Sequence, residues 1–119
     1  METQKTADQI DKKIALLEEG RAKIMPSAAF KAESIGNYKK KVAIATIRLR
    51  NGKPMSLDGE VIENCPVTII KTIAEGICWE ELTQMELATA EYKGNIVKLE
   101  SVQAELNGLQ SKNKWLDSN

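Results

Sequence analysis

Side chains equipped for chemistry are few and scattered in this chain. It contains no histidine, which removes the commonest general base and the commonest metal ligand together. Cys65 and Cys78 have no histidine to share a metal with, so a zinc site is not expected, and in a reducing compartment they stay thiols. The carboxylate pairs Glu18-Glu19 and Glu80-Glu81 are adjacent residues, which on a helix do not converge on one point. The glycines form no phosphate-cradling loop. The sequence therefore reads as a non-enzyme, with no catalytic residue, no metal and no cofactor.

Binding chemistry has better candidates. Tyr38-Lys39-Lys40-Lys41, followed by Arg48, Arg50 and Lys53, is the one dense basic segment. It has two readings. One is a solvated helix face whose cations favour a helix C-terminus. The other is a site for phosphate or an acidic partner, with Arg48 and Arg50 as bidentate clamps, Lys39 beside them and Tyr38 as a stacking surface. Trp79 and Trp115 stand out in a chain that is only 4% aromatic. Each either plugs an end of a helical bundle or contacts a partner, as tryptophans at binding hot spots do. The stretch Glu105 to Lys114 places Asn107, Gly108, Ser111 and Asn113, all mediocre or poor helix formers, inside a helical pattern. Its amides, hydroxyl and cation, Asn107, Gln110, Ser111 and Lys114, are candidates for hydrogen bonds to a ligand or a second subunit. A fraying helix end accounts for them equally.

The elements that must position these residues follow from apolar spacing. Thr6-Ala7-Asp8-Gln9 reads as a capping box. After it Ile10, Ile14, Leu17, Ile24, Ala28, Ile35, Tyr38, Val42, Ala45 and Leu49 keep one heptad register, interrupted by Arg21 and Lys31. The register is the same on both sides of Pro26, which predicts one kinked helix over 6–51 rather than two. Asn51-Gly52 and Pro54 end it. Asp58-Gly59 between two short apolar runs predicts a small β-hairpin or tight loop within 52–65. Pro66 opens a short helix over 66–77 with Ile70, Ile73 and Ile77 on its apolar face and Gly76 as its weak point. A helix over 79–116 carries the cleanest heptad, from Met85 and Ala88 through Tyr92, Asn95, Leu99, Val102, Leu106 and Leu109 to Asn113 and Leu116. The stripe of the short helix is one residue out of phase with it, which predicts a break near Gly76.

The fold class is thus mainly α, a single domain: a long antiparallel helical hairpin with a short β-hairpin or loop insert. Two helices alone shelter a narrow seam, so the chain is expected to assemble with copies of itself into an oligomeric bundle. Tyr92, Asn95, Leu99, Leu106 and Asn113 form the expected oligomer seam, its two asparagines fixing register. With 119 residues, 42% of them hydrophobic, and seventeen basic against seventeen acidic residues, the composition is globular and electrically neutral. Neutrality argues against bulk attraction to nucleic acid. No apolar run long enough to span a membrane is present, and the first residues lack a signal-peptide core. The expected location is the cytoplasm.

Several segments together, Cys65-Pro66-Val67-Thr68, Gly76-Ile77-Cys78-Trp79, Ala90-Glu91-Tyr92-Lys93 and Glu105-Leu106-Asn107-Gly108 with Gln110-Ser111, resemble a family of small, uncharacterised phage and prophage early-region proteins. The resemblance spans roughly Thr6 to Asp117. Glu75 stands where that pattern often has arginine, and Leu109 where it often has an aromatic. The resemblance implies a product encoded near recombination and single-strand-binding genes, acting in the cytoplasm of a host cell. The expected function is counter-defence: a non-catalytic binder sequestering a host immune component, either a protein effector or a cyclic-nucleotide signal. Two alternatives stand beside it: an accessory of recombination or replication touching single-stranded DNA or its binding proteins, and a structural adaptor.

Overall fold

The computed structural model describes residues 2–118 and is mainly α, with a long helix pair and a small two-stranded antiparallel sheet. The order is α1 (Glu2–Arg50), β1 (Met55–Leu57), β2 (Glu60–Ile62), a 3-10 turn (Val67–Ile69), α2 (Ile70–Ile77) and α3 (Trp79–Ser118). The chain divides into two compact units. One joins 2–28 to 90–118, and the other is Ala29–Thr89.

α1 runs unbroken through Pro26. Proline offers no N–H to the carbonyl of Ala22. Both residues lie on the exposed side, so the unpaired carbonyl is open to solvent rather than buried, which is where a helical proline costs least. The helix begins at Glu2, so Thr6 is not its cap. Thr6 is buried instead, and its hydroxyl donates to the carbonyl of Glu2 at 3.0 Å. At the other end Gly52 takes φ +71. The N–H of Lys53 reaches the carbonyl of Arg48 (3.0 Å) and that of Gly52 reaches Leu49 (3.1 Å). This is the Schellman closure that a left-handed glycine permits.

In the first unit α1 and α3 run antiparallel. Glu2 pairs with Lys112 at 2.9 Å, Lys13 pairs with Glu105, and Gly20 lies against Leu99. The apolar core is Leu17, Val102 and Leu106, with Ile10 and Leu99 packed on it. The register of α3 is the expected one. That of α1 is half corrected. Ile10, Leu17 and Ile24 turn inward as expected, but their companion column is Lys13, Gly20 and Ser27, whereas Ile14 and Arg21 are exposed. Small residues let the helices approach closely. An added Cβ on Gly20 would sit 3.1 Å from Leu99 Cδ1, so space, not hydrophobicity, selects this column.

In the second unit Ala45 and Leu49 of α1 pack against Ile70, Ala74 and Cys78, flanked by Tyr38, Val42, Met55, Ile62 and Ile77. β1 and β2 pair as Met55↔Ile62, Ser56↔Val61 and Leu57↔Glu60. Asp58 (φ 50) and Gly59 (φ 82) form the two-residue turn, as the Asp-Gly signal predicts. α2 ends at Ile77, and Cys78, two residues beyond Gly76, caps it. The N–H of Cys78 is shared between the carbonyls of Ala74 (3.3 Å) and Glu75 (3.2 Å), and its own carbonyl accepts from Leu82 (3.0 Å). The break expected near Gly76 falls at Cys78, between α2 and α3. Ile70, Ala74 and Cys78 are the buried positions there, and Ile73 and Ile77 of the expected apolar face are partly buried.

Candidate functional site

The basic segment folds onto one helix but not onto one face. Lys41 and Arg48 are two turns apart and project together. Lys39 and Arg50 are exposed on a different side. Lys41 and Arg48 edge a cleft of about 330 Å³ in the second unit, lined also by Ile44, Ala45, Met55, Ile77, Cys78 and Glu81. Its floor is therefore aliphatic and sulfur-bearing, and its rim carries two cations and one carboxylate. Among the described residues neither cation is held in a salt bridge.

Tyr38, the stacking surface the sequence suggests, does not line the cleft. It is half-buried against the core of the second unit. Burial pushes its phenol pKa up, and the charges of Glu75 and Cys78 add to the effect. Cys78 is 3% exposed. Burial raises its thiol above the ordinary range and Glu81 raises it further, while Lys41 opposes them. The thiol is thus a neutral, apolar element of the cleft floor. Cys65 is partly exposed, and both cysteines are free.

Trp79 and Trp115 are 58% and 65% exposed. Asn107 is exposed, with its side-chain oxygen accepting from Gln103 at 2.9 Å. Gln110, Ser111 and Lys114 are exposed along the same end of α3. None of these lines the cleft. A second cleft, about 660 Å³, lies between the helices of the first unit, with Gln9, Lys12, Lys13, Leu16, Glu105, Gly108 and Leu109 around it. There the charge of Lys13 is already matched by Glu105.

Tyr92, Asn95, Leu99, Leu106 and Asn113 were expected between subunits. Within the chain Leu106 is buried on Leu17 with Leu99 packed beside it, and Tyr92, Asn95 and Asn113 are partly buried. Asn95 borders Gly20 and Leu99 in a small hollow. The side-chain oxygen of Asn113 is buried without a hydrogen-bond partner among the described residues. Such an orphan costs stability and discriminates between registers. Sequence reasoning selects Arg48 and misses Lys41, Met55, Cys78 and Glu81 as its companions. The seven-residue spacing from Lys41 to Arg48 was the available signal. Glu81 joins them only through tertiary packing.

By fold the chain is a mainly α protein built on a long helix pair. No protein-family model, curated protein or solved structure matches it. Among the described residues no helix is long and apolar enough to cross a membrane, and no group of three or more His, Cys, Asp or Glu side chains is placed to hold a metal ion.

Proposed function

We propose that this chain works by binding rather than catalysis, and that its ligand is an anionic molecule with a flat or apolar body, a nucleotide signal being the reading that fits best. The observation that carries this is the cleft of the second unit. Arg48 supplies a planar fork suited to phosphate oxygens and Lys41 a second positive charge. Ile44, Ala45, Met55 and Ile77 supply an apolar floor, and Glu81 an acceptor for N–H donors such as those on a nucleobase edge. The cleft volume falls within the range of small-molecule sites. In the phage setting that the resemblance implies, holding such a molecule would withdraw a host defence signal, which is counter-defence by sequestration.

The test is a thermal-shift series with cyclic mono- and dinucleotides. A ligand present at a hundred times its Kd stabilises by about 2.7 kcal/mol. Arg48→Ala and Lys41→Ala should abolish the shift and leave the unliganded melting temperature in place, since both side chains are exposed. Absence of a shift with every nucleotide sinks the signal-binding reading.

The exposed Lys39, Lys40 and Arg50 favour the second reading, contact with single-stranded DNA. It predicts affinity that falls steeply with salt and weakens on reversing Arg50. Low-salt titration with labelled oligonucleotide separates the two readings.

A further inference from the structure

The three charges on the rim of the second unit's cleft stand on two different walls. Lys41 and Arg48 rise from α1, and Glu81 from the first turn of α3. Among the described residues none of the three is in a salt bridge, with one another or with any other group. Glu80 shares that first turn but is exposed and outside the cleft, whereas Glu81 is partly buried and lines it. Burial sets the Cys78 pKa high, and after burial Glu81 raises it while Lys41 lowers it. The carboxylate and the ammonium therefore flank one sulfur without closing on each other, and the gap over Cys78 stays open. Ile44 and Ala45 each lie one helical turn from both Lys41 and Arg48, so the two cationic heads can turn toward a single group above that floor. The lining side chains include no amide and no hydroxyl. Glu81 is thus the one strong hydrogen-bond acceptor among them, and the two cations are the strong donors.

Charge and size narrow the ligand. Two cations against one carboxylate leave the rim with a single positive charge in excess. A phosphodiester carries one negative charge and balances it, whereas a di- or triphosphate sets surplus negative charge near Glu81. The volume of about 330 Å³ stands at the low end of the roughly 300–1,000 Å³ of small-molecule sites. It suits one base, sugar and phosphate rather than two of each. Glu81 then chooses the base, because a carboxylate only accepts. Guanine offers it two donors side by side, N1–H and the 2-amino group, which meet the paired oxygens as a guanidinium does. Adenine and cytosine set an amino donor next to a ring-nitrogen lone pair, and uracil sets one N–H between two carbonyls. Each of these turns a lone pair toward the carboxylate. The thioether of Met55 lines the same space and favours contact with an aromatic ring. We infer that the cleft takes a cyclic guanine mononucleotide, its base edge held by Glu81 and its single phosphodiester by Lys41 and Arg48; the inference rests on the nucleotide reading of this cleft.

Isothermal titration calorimetry on the full chain with cyclic GMP, cyclic AMP and cyclic di-GMP tests it. Cyclic GMP should bind about tenfold to a hundredfold more tightly than cyclic AMP, the difference expected of hydrogen bonds to a charged group, and more tightly than cyclic di-GMP. Glu81→Gln, whose amide offers one donor and one acceptor, should weaken cyclic GMP, strengthen cyclic AMP and so erase the preference. Glu81→Ala should bring cyclic GMP down to the level of cyclic AMP. Arg48→Ala should weaken both cyclic mononucleotides alike, because it holds the group they share. Circular dichroism confirms that the helices remain in each variant. Equal binding of cyclic AMP and cyclic GMP by the unaltered chain, or a guanine preference that survives both changes at Glu81, overturns the base assignment and leaves the nucleotide reading standing. Tighter binding of cyclic di-GMP overturns the single phosphodiester in the same way. Binding of none of the three overturns this inference together with the nucleotide reading beneath it.

Discussion

Two glycines in the same helix give a sharp test of the packing. Gly20 and Gly36 both lie inside α1, where replacing glycine by alanine gains about 0.8–1.0 kcal/mol of helix propensity. At Gly36 nothing lies within 4 Å of the new Cβ, so the whole gain should appear. For a chain of this size about 1 kcal/mol corresponds to a rise in melting temperature of roughly 4 °C. At Gly20 the new Cβ sits 3.1 Å from Leu99 Cδ1. Leu99 must retreat by a few tenths of an ångström or leave its rotamer, which costs about 0.5–1.5 kcal/mol. The two terms nearly cancel, so Gly20→Ala should leave the melting temperature close to the parent's. A leucine at position 20 cannot be accommodated by such a shift and should destabilise by about 1–3 kcal/mol. The assay is urea and thermal denaturation followed by circular dichroism at low protein concentration. If Gly20→Ala stabilises as much as Gly36→Ala, Leu99 does not rest on Gly20 and the α1–α3 register described above is wrong.

Leu106→Ala should cost about 2–5 kcal/mol because Leu106 is buried on Leu17, while Val97→Ala, on the exposed face, should change the stability of the dilute protein by less than about 0.5 kcal/mol; denaturant titration of both measures the contrast. Lys112 holds the Glu2 carboxyl below its ordinary pKa, chiefly through their hydrogen bond and then through charge. The stability from this pair is therefore present above the unfolded-state pKa of Glu2 and fades as pH falls through the folded value; carboxyl NMR titration should show Glu2 returning to the ordinary range in Lys112→Ala. Cys78 and Tyr38 shift the other way, upward through burial first. Their contribution is complete below the unfolded-state values and is lost as pH rises through the folded ones, so the melting temperature should fall on the alkaline side and fall less in Tyr38→Phe. A thiol reagent should label Cys65 promptly and reach Cys78 only in denaturant; equal rates would contradict the burial of Cys78.

The elements themselves were legible in the sequence because each boundary carries its own local signal. Gly52 and Pro54 stop α1, Asp58-Gly59 turns the hairpin, and the heptad from Met85 to Leu116 fixes the inward face of α3. What misled was reading hydrophobicity as burial. Gly20 and Ser27 are inward because they are small, and a scale of oiliness ranks them below Ile14, which stays in water. Thr6 looked like a cap for a related reason: its hydroxyl suits either a free N–H at a helix start or, as found, the carbonyl four residues back. The basic segment was visible as composition, but its division into one pair at the cleft rim, Lys41 and Arg48, and another on a different side, Lys39 and Arg50, depends on helical phase. Glu81 and Met55 reach the cleft from other elements, and no spacing along the chain announces that.

The two units also differ in how they can be built. Ala29–Thr89 is one continuous stretch, whereas the other unit draws its partners from 2–28 and 90–118. During synthesis the hairpin, α2 and the middle of α1 have all their neighbours as soon as that stretch has emerged. The leading part of α1 must wait, with Ile10 and Leu17 uncovered, until Leu99, Val102 and Leu106 have been made. Closing so long a loop is slow relative to local contacts, so the exposed interval falls on this end of the helix, and a nascent chain stalled before residue 90 would present it to whatever binds apolar surface.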